Sequence, residues 1–384
     1  MKNIRLFTNI ASHYRKSLWG KLLECTEVDI EFYFGSNEAL GIKLINFEEM
    51  PFSKFSYRFN RLKNIWLSKY LVVWQLGVVK SCLFGSFDKA IFLGEAYCLS
   101  NWVAATICRL RNIEVVFWGH GFYGNEGRFK MFFRKTFYRL ADKHLLYERR
   151  AKQLMIEEGF KSEDLYVVFN SLDYDKQKKL REKYQGVKKR KVFLELAEPE
   201  LPVLIFIGRL TPEKKLDLLI KVANKINKGT VKLNVIIIGD GPKRAKLEEL
   251  GEEGIEKKWI HFLGACYDEE KIAQYLSAAD LCVSPGNIGL TAIHSLAYGT
   301  PVCTHGDMNN QAPEAGAIEE GYNGFFFRRG SVEDLKQKIE SWVSKDIDRH
   351  SLQGQCYEVV DQYYNPDYQL SVFERLITGK KPRI

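Results

Sequence analysis

Residues 203–216, VLIFIGRLTPEKKL, and residues 286–302, GNIGLTAIHSLAYGTPV, decide the fold between them. The first opens as an unbroken apolar run, as in a strand buried on both faces. It ends at Gly208, presents Arg209 and turns through Pro212 to Lys214. The second is a glycine turn that opens directly into a helical pattern. Arg209 can fork two hydrogen bonds onto phosphate oxygens, and Lys214 can add a point charge. Unpaired amides at a helix start near Gly289 supply further donors, and the helix dipole favours an anion there. The pairing predicts a diphosphate site, and hence a nucleotide or nucleotide-linked ligand on an α/β scaffold.

Working outward from 203–216, strands are expected at 232–238, 259–262, 281–284 and 301–303, with helices at 215–227, 242–250, 268–278, 289–298 and 331–344. An earlier series of strands is expected at 3–8, 29–34, 89–93, 114–118, 144–147 and 165–169. The charged segment 175–191 carries no apolar strand and reads as a helix plus linker. Alternation of this kind predicts parallel sheets with helices on both faces, here as two doubly wound domains. The expected division is 1–185, a linker at 186–202, 203–365, and a segment 366–384 returning to the first domain. Ligands bind at the carboxyl ends of parallel strands, so a cleft between the domains is the expected site.

At 384 residues, two domains are the prior. The longest apolar run, Tyr70 to Val79, is too short to span a bilayer and is fenced by Lys69 and Lys80. The N-terminus reads as a first strand and lacks the features of a signal peptide. Eight cysteines without a Cys-x-x-Cys pair read as free thiols, which predicts a cytoplasmic protein. The net charge of +9 is uneven: residues 1–170 hold 25 Lys and Arg against 17 Asp and Glu. Two stretches concentrate it. Residues 51–80 have six cations and no acid, and residues 128–143 have six cations against Asp142. Both read as amphipathic basic helices, either solvated or facing an anionic membrane through cations such as Arg134, Lys135 and Arg139. Nucleic acid fits poorly, because no recognised motif is present and the C-terminal half is nearly neutral.

The motifs in 200–345 together resemble the donor-binding domain of the GT-B fold glycosyltransferases, specifically the large retaining family four, or group 1. They are GRLTPEKKLD with Arg209 and Lys214, IGDGP at 238–242, Phe262-Leu263-Gly264, the helix segment Gly289 to Val302, and Gly321 to Phe325. The N-terminal half resembles the family weakly, at His120 after VVFW and at Asn170-Ser171-Leu172-Asp173. The resemblance implies a donor site at Gly208, Leu263, Gly286, Asn287, Ile288, Gly289, Leu290, Thr291 and His294. It implies catalytic roles for Arg209, Lys214 and His120, with no metal and no cofactor beyond the nucleotide sugar itself. The implied reaction is front-face transfer of a sugar to a glycan acceptor, the departing phosphate taking the acceptor's proton. With the basic N-terminal half, the expected acceptor is linked to a polyprenyl diphosphate at the cytoplasmic membrane face, in assembly of O-antigen or capsule.

The family's glutamate pair falls on Gly286 and His294. His294 can still hydrogen-bond ribose or phosphate, or be a histidine satisfied by the core. Gly286 can only let the amides of Asn287 and Ile288 approach the ligand. The first strand-to-helix turn, TNIASHYRKSLWG, lacks the family's glycine pair and offers Tyr14 and Arg15 as acceptor-side contacts. GHGFYG at 119–124 matches a dinucleotide fingerprint but follows the wrong strand. Asp173-Tyr174-Asp175 matches a metal motif of another fold, and Asp173 reads as a helix cap. Two rival classes share the architecture: a degenerate binding or scaffold protein, and a sugar-nucleotide epimerase.

Overall fold

A computed structural model describes residues 2–26, 28–35, 44–49, 52–67 and 72–384. They divide into two compact units: Met1–Asp173 with Asn365–Ile384, and Tyr174–Tyr364.

The strands of the first unit are β1 Lys2–Thr8, β2 Val28–Phe34, β3 Phe59–Arg61, β4 Lys63–Leu67, β5 Val72–Leu76, β6 Lys89–Leu93, β7 Glu114–Gly119, β8 Lys143–Leu146 and β9 Leu165–Val167. Seven form one parallel sheet in the order β3-β2-β1-β6-β7-β8-β9, while β4 and β5 pair antiparallel. Its helices are α1 Lys16–Glu24, α2 Val78–Phe84, α3 Leu99–Leu110, α4 Arg128–Tyr138 and α5 Arg149–Glu157, completed by the chain's last helix, Pro366–Thr378. One face of the sheet packs Phe7, Phe92 and Phe117 against Val78, Cys82, Ala104, Ala105 and Phe137 from α2, α3 and α4. The last helix is tied to this unit by polar bonds. Lys21 pairs with Asp367 at 2.7 Å, Lys89 Nζ donates to the Leu376 carbonyl at 3.2 Å, and Gln369 donates to the Phe169 carbonyl at 3.0 Å.

The second unit contains β10 Val203–Ile207, β11 Asn234–Ile238, β12 Ile260–Gly264, β13 Leu281–Val283, β14 Val302–His305 and β15 Gly324–Phe327. Its helices are α6 Tyr174–Tyr184, α7 Lys189–Val192, α8 Leu216–Ile226, α9 Arg244–Leu250, α10 Glu252–Glu256, α11 Glu269–Ala278, α12 Thr291–Ala297, α13 Val332–Val343 and α14 Arg349–Gln362. The sheet order β12-β11-β10-β13-β14-β15 reverses direction between β10 and β13. At such a switch point the loops leave in opposite directions and open a crevice at the carboxyl ends of the strands. Every residue of β10 and β11 is buried, Asn234 at the start of β11 included, as the apolar runs VLIFI and VIII require.

Three expectations need correction. Residues 51–80 do not form a basic helix. Phe52–Arg58 is a 3-10 segment, then come β3, β4 and β5, and only Val78 onward is helical; residues 51 and 68–71 lie outside the described residues. Ile65, Trp66 and Leu67 face Val72, Val73 and Trp74, β-branched and aromatic residues that favour a pleated pairing over a helix. Residues 174–185 belong to the second unit, not the first. Arg181 of α6 clasps Asp361 of α14 with two 2.8 Å bonds and lies 4.3 Å over the Tyr357 ring, while Tyr184 donates to Glu270 at 2.6 Å. Residues 186–202 are packed structure rather than a linker. Val192 and Phe193 are buried, the latter against Tyr275, and Lys189 pairs with Asp280 at 2.6 Å.

The Arg181–Asp361 clasp generates a prediction. Arg181→Ala leaves a carboxylate with lost partners and removes stacking on Tyr357. Asp361 keeps partial access to water, so the expected cost is about 1–3 kcal/mol. Chemical denaturation followed by tryptophan fluorescence measures it; an unchanged midpoint would mean that α6 is not held by this pair.

Candidate diphosphate site

The turn after β10 and the turn after β13 are joined. The Gly286 amide donates to the Lys214 carbonyl at 2.9 Å, and the Asn287 amide to the Glu213 carbonyl at 3.1 Å. In return Lys214 Nζ donates to the Asn287 carbonyl at 2.6 Å and the Ile288 carbonyl at 3.3 Å. Burial lowers the Lys214 pKa, opposed by the charges of Glu314 and Glu213. Gly208 lies beside Thr291, whose hydroxyl donates to the Ile207 carbonyl at 2.7 Å. At the same rim the Gly239 amide donates to the Gly264 carbonyl at 2.8 Å. Gly239 has φ +148° and passes so close to Gly208 that a Cβ would sit 1.9 Å from its carbonyl oxygen. Gly208, Lys214 and Gly286–Thr291 are therefore brought together, with Arg209 exposed beside them and Leu263 half-buried on β12. A hollow of about 820 Å³ borders Lys214, Lys215, Asn287, His305 and Arg329.

The structure sharpens one reading and overturns another. A Cβ on Gly286 would lie 1.8 Å from the Glu213 carbonyl oxygen, so no side chain of any kind fits there. The Asn287 and Ile288 amides are not offered to a ligand. The first is bonded to Glu213 and the second donates to Gln311 Oε1 at 3.0 Å. Gln311 is buried and also donates to Thr304 Oγ1 at 2.8 Å and the His305 carbonyl at 3.1 Å, bracing the turn from beneath. Sequence reasoning missed Gln311, His305 and Glu314, because the polar segment THGDMNNQAPEAG reads only as a loop.

His294 uses Nε2 on Glu269 Oε1, 2.9 Å away on α11, and its ring lies near Tyr298. Glu269 also accepts from Tyr298 at 2.7 Å and from Gln177 at 3.2 Å. Burial pushes the Glu269 carboxyl up, but His294 and the two hydrogen-bond donors outweigh it and hold the pKa down at about 2.

The other candidates stand at the carboxyl ends of the first unit's strands. Arg15 is folded back, its guanidinium 4.4 Å over the Trp118 ring and donating to the Tyr147 hydroxyl. Burial opposes its charge, and Tyr14 and Tyr147 more than compensate, leaving its pKa raised. His120 lies 4.9 Å from the Tyr147 ring and 5.6 Å from the Tyr123 ring. Burial, reinforced by the charges of Arg134 and Arg15, lowers its pKa to about 4, so the imidazole is neutral at pH 7. Its Nδ1 is buried without a hydrogen-bond partner. Glu95, in the turn after β6, was missed by sequence reasoning; burial raises its carboxyl to about 7, moderated by Arg134 and Lys130. Asp173 stands immediately before α6, and among the described residues no three His, Cys, Asp or Glu gather as a metal-binding group.

Gly286→Ala should push the two turns apart. We expect a loss of at least about 2 kcal/mol in stability together with weakened binding at the hollow, checked by thermal unfolding with and without a nucleoside diphosphate. Wild-type melting and affinity would show that the two turns can separate freely. The Glu269 carboxyl yields a pH prediction. Its folded pKa lies below its unfolded value, so its stabilisation is present above about pH 4.3 and is lost as pH falls toward 2. Glu269→Gln should be less stable than wild type at pH 7 and match it near pH 2; a constant difference across acid titration would contradict this.

Residues 188–358 match the family model described as glycosyl transferases group 1. Sulfoquinovosyl transferase SQD2 of Arabidopsis thaliana is 29% identical over 180 residues, 45% of this chain and 32% of that protein. A GDP-mannose-dependent alpha-(1-6)-phosphatidylinositol dimannoside mannosyltransferase of Mycobacterium tuberculosis is 36% identical over 108 residues, 27% of each protein. The matches thus span about a third or less of these relatives' lengths. Among solved structures, Anabaena Alr3699/HepE in complex with UDP superposes with a TM-score of 0.70 at 16% identity, over 98% of this chain and 100% of the other. The apo lipopolysaccharide outer core galactosyltransferase WaaB superposes with a TM-score of 0.67 at 16% identity, over 99% of both chains. The whole chain has the GT-B fold, and residues 188–358 within it are similar to the group 1 glycosyl transferases.

Proposed function

We propose that this protein transfers a sugar from a nucleoside diphosphate sugar to a glycan acceptor with retention of configuration. The observation that carries the reading is the Lys214 ammonium fixed against the Gly286–Gly289 turn, with Arg209 beside it, at the switch point of a parallel sheet. Cations held in place before the reaction stabilise charge as it develops on a leaving diphosphate, without reorganising at that moment. The bond from the sugar's C1 to the diphosphate breaks, the acceptor oxygen bonds to C1 on the same face, and the hydroxyl proton passes to the departing phosphate. The structurally similar HepE has been seen with UDP and with UDP-glucose, which supports a nucleotide sugar as donor.

The first unit takes the acceptor in this reading. Neutral His120 stands at the strand ends of this unit as a polar group for the sugar, and Tyr14 and Arg15 flank the same strand ends. We further propose a polyprenyl-diphosphate-linked acceptor at the cytoplasmic membrane face, in assembly of a surface polysaccharide such as O-antigen or capsule. Two relatives named for phosphatidylinositol mannoside and lipopolysaccharide chemistry support a lipid-linked acceptor. The reaction is proposed to need no metal ion. One observation favours a rival: neither Gly286 nor His294 supplies the carboxylate the family resemblance leads one to expect, as in a scaffold protein that has lost catalysis.

Turnover separates the two. Arg209→Ala and Lys214→Ala should each lower kcat/KM roughly 10²–10³-fold, about 2.7–4 kcal/mol of transition-state stabilisation. Product formation from radiolabelled nucleotide sugars should persist in EDTA. Near-wild-type turnover in the double variant would remove the site assignment, dependence on added Mg²⁺ would remove the metal-free step, and absence of transfer or hydrolysis with every donor would favour the scaffold.

A further inference from the structure

The helices α2, α3 and α4 bury their inner sides in one cluster with Phe92 and Phe117 of the first sheet. Their outer sides are also apolar. On α3, Leu99, Val103 and Leu110 recur at helical spacing and are exposed, Leu110 by 81%. On α4, Phe129 and Phe132 are 85% and 71% exposed, and on α2 Phe84 is 74% exposed. The two longer helices are neighbours, since Trp102 of α3 packs 4.8 Å from Phe133 and 4.9 Å from Phe137 of α4. Arg111, just past α3, donates to the Cys82 and Gly85 carbonyls and so fastens α3 to the end of α2. Apolar residues on the outer sides of three adjacent helices exceed the scattered exposure normal for a monomer.

Charge selects the occupant. The three helices carry six cations and no carboxylate. Arg134 is turned inward and Lys135 is paired with Glu158 at 2.8 Å, so neither serves the outer face, contrary to the sequence expectation. Arg128 and Lys130 flank Phe129, are exposed, and form no ion pair among the described residues. Protein interfaces are depleted in lysine and need complementary acids, whereas exposed phenylalanines between cations match the acyl boundary and headgroups of an anionic bilayer. Among the described residues no helix is long and apolar enough to cross a membrane, so the contact is interfacial.

We infer that the outer face of α2, α3 and α4 is a docking surface for an anionic lipid bilayer. This goes beyond the transferase reading, resting on it only for its purpose, the delivery of a lipid-linked acceptor. Binding needs neither substrate, so the two readings fail separately. The test is co-sedimentation with phosphatidylcholine vesicles with and without about 30% phosphatidylglycerol. Wild type should bind the anionic vesicles and be released by high salt. Phe129→Ser/Phe132→Ser and Arg128→Gln/Lys130→Gln should each weaken binding roughly tenfold or more, while Tyr267→Ser, an exposed aromatic of the second unit, should not. These side chains are exposed, so unchanged circular dichroism and melting are expected in every variant. Failure of wild type to bind, or unchanged binding by the double phenylalanine variant, would overturn the proposal. So would a dimer in sedimentation equilibrium that the phenylalanine variant dissolves without any vesicle binding, which would assign the face to a second copy of the chain.

Discussion

The bond from Lys214 Nζ to the Asn287 carbonyl, with its companion to Ile288, makes one rigid body of two turns that the sequence separates by some seventy residues. The backbone bonds returning from Gly286 and Asn287 close the arrangement. Its first consequence is steric: at the closest approach only glycine fits, so position 286 cannot carry a family glutamate without rebuilding both turns. Its second is electrostatic. The ammonium is partly buried against carbonyls rather than solvated on a flexible stem, which lowers the reorganisation needed when an anion arrives. Gln311 completes the assembly by satisfying the Ile288 amide, which would otherwise be an unpaired buried donor.

The missing carboxylate at position 294 has a counterpart one helix away. Glu269 on α11 reaches His294 on α12, and a carboxylate–histidine pair stands near the place where the resemblance leads one to expect a carboxylate alone. The pair is well supported, since Tyr298 and Gln177 donate to the same carboxylate oxygen. A carboxylate so stabilised stays ionised throughout the physiological range, and it fixes the orientation of the imidazole that faces it. In the first unit the electrostatics run the other way. His120 is kept neutral first by burial, and Arg134 and Arg15 add to this by opposing a second positive charge there. The two histidines thus act as hydrogen-bonding groups with different settings, one beside a fixed anion and one beside fixed cations.

The parallel strands were legible because each is short, apolar and bounded by glycine or polar residues; KAIFL at β6 and VLIFI at β10 begin and end where the pattern predicts. The glycine turn and Lys214 were legible as a pair, but their mutual hydrogen bonding was not, because it joins backbone carbonyls that no residue identity advertises. For the same reason the use of the Asn287 and Ile288 amides was misread. Residues 51–80 were misread because cations spaced among aromatics suit a solvated helix or an exposed hairpin equally well, and only the cross-strand partners of Ile65 and Trp66 decide. The unit boundary was misplaced because a charged helix looks like a linker until the partners of Arg181 and Tyr184 are known.

Helix α4 shows how one inward cation reshapes an outward face. Arg134 donates to the Gly121 carbonyl and the Tyr138 hydroxyl, stands 4.7 Å over the Tyr123 ring, and pairs loosely with Glu126 at 3.6 Å. A guanidinium can be buried only where its hydrogen bonds are met in this way. With Arg134, Phe137 and Tyr138 filling the inner side, the 3.6-residue period leaves Phe129, Phe132 and Phe133 outside. A sequence reading that places every cation outward puts the phenylalanines in the core and hides the apolar surface. The surface exists because the buried polar network around Gly121 holds the helix in the opposite rotation.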